Sequence, residues 1–256
     1  MLTDDQRRQF ATDGFVLVPG VVDEALLRAA DAEVDELVAG SPAPAGTVGP
    51  HFYFLPPDQL PAADTALRDS GALALADTLV APHHLDHASA HVQAALNIPP
   101  YLHRPGAPHI DGHRPDKDID SFTMLAAIFL SDESAPDRGN LWVWPGSHRG
   151  HGQLFREQGV DVLKAVSGHA IILDPPVWFG PGEPLLAGRG DLLLSHFLLG
   201  HNIGGNTSDT TRRILYYRLA AEGHADRWTD TFLDPLTEYP SLRGIAPTEP
   251  FTPATT

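Results

Sequence analysis

The sequence predicts a mainly β protein, a sandwich or jelly roll with α-helices ahead of it, and three observations carry that expectation. Between about residues 90 and 220, runs of strand length recur at 91–98, 122–130, 141–144, 169–173, 191–198 and 213–219. Turn pairs separate them, among them Pro105-Gly106, Pro145-Gly146, Pro181-Gly182 and Gly204-Gly205. No ten-residue helical pattern is read between successive strands, which argues against βαβ units.

The elements follow in order. Thr3 and Gln6 form a capping box that starts a short helix running toward Thr12, ended by Gly14. Phe15 to Val18 is an apolar strand closed by Pro19-Gly20. Asp23 caps a second helix in which Leu26, Leu27, Ala30, Val34, Leu37 and Val38 recur at helical spacing, with Gly40 as its stop. Residues 41–63, rich in Pro, Ala and Gly, read as a loop that returns His51, Phe52, Tyr53 and Phe54 to the body of the protein. Leu67 to Val80 reads as one more helix. The chain thus divides into a helical part of about 1–88, a jelly-roll core of about 89–220 and a C-terminal tail of 221–256 with frayed last residues, all within a single domain of 1–256.

Composition narrows the function. The 256 residues contain no cysteine, so disulfides, thiolate chemistry and sulfur-ligated metals are excluded, and a metal here needs imidazole and carboxylate ligands. The formal charge is −16, and Lys117 and Lys164 are the only lysines, so neither nucleic acid nor an acidic membrane is an expected partner. No apolar run approaches the ~18 residues of a membrane span, and the N-terminus lacks a charged-then-apolar leader pattern. A cytoplasmic protein acting on a small molecule is expected; the oligomeric state is left open.

Fourteen histidines make spacing the test of a metal site. Residues i and i+2 of a strand project from one face, so His-x-Asp on a strand presents an imidazole and a carboxylate together. With a distant second histidine they make the facial triad of non-haem iron(II) oxygenases. The pattern occurs at His84-Leu85-Asp86, His109-Ile110-Asp111 and His224-Ala225-Asp226. The first follows a helix in a polar cluster, and the last follows the final strand and reads as a surface turn. His109 lies between two strong strand patterns. A distant partner is at hand in His201, which ends the strand that begins at Asp191 and is joined through Gly204-Gly205 to the strand that opens with Arg212-Arg213.

These stretches resemble the phytanoyl-CoA dioxygenase-like family of Fe(II)- and 2-oxoglutarate-dependent dioxygenases. The resemblance is carried by His109-Ile110-Asp111, by Gly139-Asn140-Leu141 followed by Pro145-Gly146-Ser147-His148, and by the run from Gly190 to Arg213. In that run Asn206, Ser208 and Arg212 stand at the family's spacing from His201. The resemblance implies a double-stranded β-helix, the cupin-like jelly roll, with Fe(II), 2-oxoglutarate and O2 as cofactor and co-substrates. It implies His109, Asp111 and His201 as catalytic metal ligands and Arg212 as anchor of the 2-oxoglutarate distal carboxylate, a role that suits a guanidinium fork. Arg213 alternates to the opposite face, where a surface ion pair is expected.

Gln93 and Asn97, on one face of the preceding strand, resemble a family pairing; Asn97 is assigned to 2-oxoglutarate and Gln93 to co-substrate or substrate, with backbone-satisfied sheet residues as the alternative. The family's lysine eleven residues before the first histidine is replaced by Ile98, a departure from its usual co-substrate contact. Trp144 and Trp178, with His113 beside the metal motif, are the expected substrate wall, although core packing accounts for the tryptophans equally well.

The retained Asp111 favours hydroxylation over halogenation within this resemblance, while desaturation, cyclisation and epimerisation stay open. A CoA thioester fits poorly with the acidic chain and its two lysines, so a small metabolite or natural product is the expected substrate. A cupin-type isomerase or a non-catalytic ligand-binding jelly roll is the alternative.

Overall fold

The structure is a computed structural model and describes residues 1–112, 120–166 and 170–254. Its helices are α1 (Asp4–Asp13), α2 (Glu24–Gly40), α3 (Pro61–Asp69), α4 (Ala72–Val80), α5 (Ser147–Gln158) and α6 (His224–Leu233). Its strands are β1 (Phe15–Val18), β2 (Gly49–Leu55), β3 (Leu85–Ile98), β4 (Ile110–Asp111), β5 (Met124–Phe129) and β6 (Leu141–Val143). They continue as β7 (Leu163–Ala165), β8 (Ala170–Leu173), β9 (Glu183–Pro184), β10 (Leu192–His196), β11 (His201–Ile203) and β12 (Arg212–Ala221).

One antiparallel sheet runs β1-β10-β5-β12-β3-β2, and two small sheets, β11-β6-β9 and β4-β8-β7, complete the double-stranded β-helix. Period-two alternation assigns each side chain of the large sheet to one of two cores. Ala126, Ile128, Leu192, Leu194, Leu215 and Tyr217 face the helices. Their neighbours Leu125, Ala127, Phe129, Leu193, Ile214 and Tyr216 face the small sheets. Strand β5 is therefore buried on both faces, which explains its unbroken apolar sequence.

The caps read from Thr3, Gln6 and Asp23 are present, and Gly14 closes α1 in the left-handed conformation with φ of 85°. Several expectations need correction. Residues 41–63 contain β2, an edge strand paired with β3 from Gly49 opposite Ile98 to Leu55 opposite Val92; its β-prone aromatic run prevails over the surrounding Pro and Gly. The single helix of 67–80 is two, α3 and α4, broken where Gly71 takes φ of 85°.

Helix α5 lies between β6 and β7, where no helix was expected. Its glycines lower helix propensity but permit close packing: a Cβ on Gly150 would stand 2.7 Å from Phe179, and one on Gly152 2.5 Å from Pro235. The tail folds back through α6 to bury Tyr239 and Leu242 against the helix-side core. Strands β1 and β2, assigned by sequence to the helical part, belong to the large sheet.

Candidate active site

Short strand β4 carries His109 at its entrance and Asp111 at its end, while His201 opens β11. His109 and His201 form an antiparallel bridge, exchanging backbone hydrogen bonds of 3.0 and 2.9 Å between the two small sheets. The pairing brings the imidazole centroids to 4.6 Å. Asp111 Oδ1 then lies 3.7 Å from His109 Nε2 and 3.6 Å from His201 Nε2. Among the described residues these three form a group able to hold a metal ion, with one donor atom from each all within 4.8 Å.

The electrostatics suit a cation. His201 Nδ1 donates to the Leu199 carbonyl at 3.0 Å, which turns Nε2 toward Asp111. Burial would raise the Asp111 carboxyl, but the Arg218 guanidinium and the two imidazoles hold it well below the usual carboxylate range. Burial lowers His109, while Asp111 keeps His201 raised against the same burial. Arg218 Nη2 donates to Asp111 Oδ2, so the carboxylate turns a single oxygen toward the imidazoles. Two nitrogens and one carboxylate oxygen, with no thiolate, make a donor set that fits Fe(II).

The other two His-x-Asp copies stand apart from this group. His84 is exposed and pairs with Asp77 at 3.5 Å. His224, expected in a surface turn, is instead buried: Nδ1 lies 2.9 Å from Glu238 Oε2 and Nε2 3.0 Å from Ser121 Oγ.

A cavity of about 220 Å³ opens over the triad. Phe52, Phe54 and Tyr101 give it an aromatic wall, and Gln93, Tyr216 and Arg218 line it from the large sheet. Arg212 is fully buried and does not itself line this cavity. Its Nη2 donates to Tyr216 Oη at 2.7 Å, its Nε faces Glu133 at 3.5 Å, and its Nη1 has no partner. Tyr216 does line the cavity and, being an acceptor toward Arg212, keeps its own hydroxyl hydrogen. Burial pushes that phenol up to about 12 despite Arg212, and pushes Glu133 up to about 8 despite the same guanidinium.

Asn97, opposite Arg212 in the β3–β12 register, is fully buried, donates from Nδ2 to Gly204 at 2.9 Å and has an unpartnered Oδ1. It too lies behind the cavity wall, whereas Gln93 lines the cavity. The unpartnered Arg212 Nη1 and the Tyr216 hydroxyl are the observations that fit an anionic co-substrate at this end. Asn206 fixes the hairpin that delivers Arg212, donating to the Asn97 carbonyl at 2.8 Å and accepting from the Ser208 hydroxyl at 2.7 Å. Arg213 points to the opposite face and pairs with Asp35 at 2.7 Å.

The expected substrate wall is corrected. Trp144 is buried in the inner core, where a Cβ on Gly182 would stand 2.6 Å from its ring, so it does not reach the cavity. Trp178 is 52% exposed on its loop and lines no part of it. His113 lies outside the described residues. The residues missed were Tyr101, His103, Tyr216 and Arg218; the last two had a signal, since they share the strand parity of Arg212.

The fold and donor set are those of the jelly-roll oxygenases built around two histidines and a carboxylate. The chain belongs to the phytanoyl-CoA dioxygenase family, whose sequence profile matches residues 10–214. It is thus a non-haem enzyme of the Fe(II)- and 2-oxoglutarate-dependent class. No curated protein sequence matches it.

Similar folds include HygX from Streptomyces hygroscopicus with nickel and 2-oxoglutarate bound, at 17% identity and TM-score 0.55 over 86% of this chain and 87% of that one. The carbocyclase SnoK from nogalamycin biosynthesis has 18% identity and TM-score 0.57 over 100% and 94%. The epimerase SnoN, in complex with Fe3+, alpha ketoglutarate and nogalamycin RO, has 20% identity and TM-score 0.57 over 99% and 95%. Among the described residues no helix is long and apolar enough to cross a membrane.

Proposed function

We propose that the chain, acting as one catalytic domain, hydroxylates a small, largely apolar cyclic molecule in the cavity over His109, Asp111 and His201. The observation that carries the reading is the convergence of these three donors beneath an aromatic wall. Iron bound there supplies the oxidising power that transfers one atom of O2 to a substrate C–H bond while 2-oxoglutarate is converted to succinate and CO2.

The chain's own residues hold and orient. His109 and His201 offer Nε2 and Asp111 offers Oδ1 to the metal. The Tyr216 hydroxyl, backed by Arg212 with Asn97 behind it, takes the distal carboxylate of 2-oxoglutarate. Phe52, Phe54 and Tyr101 exclude water and pack against a ring, and Gln93 supplies a neutral polar contact. Neighbours described as a carbocyclase and an epimerase share the fold, so the architecture does not select hydroxylation, and the retained Asp111 favours it over halogenation alone.

The test is anaerobic titration of the Fe(II) protein with 2-oxoglutarate, followed by its weak visible charge-transfer band, together with succinate release in air. A saturable band is the expected result. Bound iron with a flat spectrum would overturn the reading and point to a metal-dependent isomerase or a binding protein.

A further inference from the structure

Arg218 lies two residues beyond Tyr216 on the inward face of β12, and its side chain is nine-tenths buried. Nη2 is taken by Asp111, while Nε and Nη1 are buried with no hydrogen-bond partner among the described residues. The guanidinium carbon lies 5.4 Å from the Phe54 ring centre and 5.9 Å from that of Phe122. Arg218 is also the one arginine or lysine among the described residues lining the cavity.

Two idle donors on a permanently charged group are costly in a dry interior unless a ligand uses them. The carboxylate that the described residues pair with Arg218 is Asp111, which is also the candidate metal ligand. A divalent cation there draws on the Asp111 charge and leaves Arg218 short of a counter-ion. We propose that Arg218 forms a second anion subsite beside the metal, and that the organic substrate presents a carboxylate or another anionic oxygen to it. This rests on the oxygenase reading above and narrows the substrate class to acids carried on a mainly apolar, ring-bearing body.

The chemistry explains the geometry. Phe54 and Phe122 cover the guanidinium and favour its charge through their π-faces, so an anion approaches along the N–H edges. The distal carboxylate of 2-oxoglutarate has its own donor in Tyr216, outside this subsite. The metal-chelating end of 2-oxoglutarate is the other anion within reach, and the experiment separates the two sources.

The protein loaded with Ni(II) and saturating 2-oxoglutarate is titrated calorimetrically with benzoate and with benzamide, its uncharged analogue of the same shape. Benzoate is expected to bind about tenfold more tightly or better. Arg218→Met abolishes that ratio and Arg218→Lys restores part of it; the ratio is unmoved by a general loss of affinity, and Arg218→Gln carries the test if Arg218→Met fails to fold. Equal binding of the two probes to wild-type protein, or binding of neither, overturns the proposal, as does a preference that survives in Arg218→Met. Weakened 2-oxoglutarate binding with an unchanged benzoate ratio assigns the subsite to the co-substrate and overturns the substrate assignment. Failure of wild-type protein to take up Ni(II) or 2-oxoglutarate overturns the oxygenase reading itself.

Discussion

His109 and His201 hold each other by backbone hydrogen bonds of 3.0 and 2.9 Å, and Asp111 follows two residues along the same strand face. The donors therefore come from segments far apart in sequence and meet only in the folded chain. Replacing His109, Asp111 or His201 by Ala is expected to weaken metal binding by about a hundredfold or more and to abolish turnover. His84→Ala, at an exposed ion pair, leaves both intact. Metal affinity by chelator competition checks this; loss of binding in His84→Ala would displace the site.

Arg212 and Arg213 are adjacent but serve opposite faces. Arg212→Ala removes the support behind Tyr216 and leaves buried Glu133 without its guanidinium hydrogen-bond partner, so 2-oxoglutarate affinity should fall at least about tenfold and stability by about 2 kcal/mol. Arg213→Ala loses a partly exposed pair and should cost below about 1 kcal/mol. Titration and thermal unfolding of both variants distinguish them, and equal effects would mean that the face assignment does not govern co-substrate binding.

Gly139 packs between Arg212 and Asn97. It has φ of 82°, and a Cβ there would stand 2.9 Å from Arg212 Cβ and 3.1 Å from that of Asn97. Gly139→Ala is expected to destabilise the fold by about 1–2 kcal/mol through the left-handed backbone and to reduce 2-oxoglutarate affinity by displacing Arg212. A destabilised variant with wild-type affinity would uncouple this glycine from the anchor.

The protein should be acid-sensitive through its buried histidines. Burial lowers His151 and His196 to about 4. His196 donates from Nε2 to Pro235 at 2.7 Å and accepts at Nδ1 from the Leu198 amide at 2.9 Å, a bond that protonation breaks. The unfolded chain takes up these protons near pH ~6.5 and the folded chain only near 4. Stability is thus complete above about pH 6.5 and falls toward pH 4, by on the order of 3 kcal/mol per histidine. Denaturant unfolding from pH 7.5 to 4.5 should show the decline, and His196→Gln should flatten it; a level wild-type profile would refute the account.

The triad candidates were legible because the strand parity of His-x-Asp is a local property of the chain and because the spacing from His201 to Arg212 resembles that of the family. Parity also placed Arg213 outward. It could not say which layer covers an inward side chain, and so Trp144 was read as pocket wall when Gly182 seals it into the core. Helix α5 was hidden because its glycines serve contacts with Phe179 and Pro235 that only tertiary structure reveals. Strand β2 was hidden by its Pro- and Gly-rich surroundings, although its aromatic residues were expected to return to the body of the protein. Tyr216 and Arg218 stand in phase with Arg212, and following that phase along β12 would have found them.

The aromatic wall and the metal floor belong to different mechanical parts. Phe52 and Phe54 ride on β2, which sits at the edge of the large sheet and pairs there with β3, whereas the histidines are tied into the two small sheets. Exchanges along β2 can reshape what the cavity admits without loosening the donors beneath it. Selectivity and oxidising chemistry can therefore diverge independently, as a replaceable template mounted on a fixed reactor.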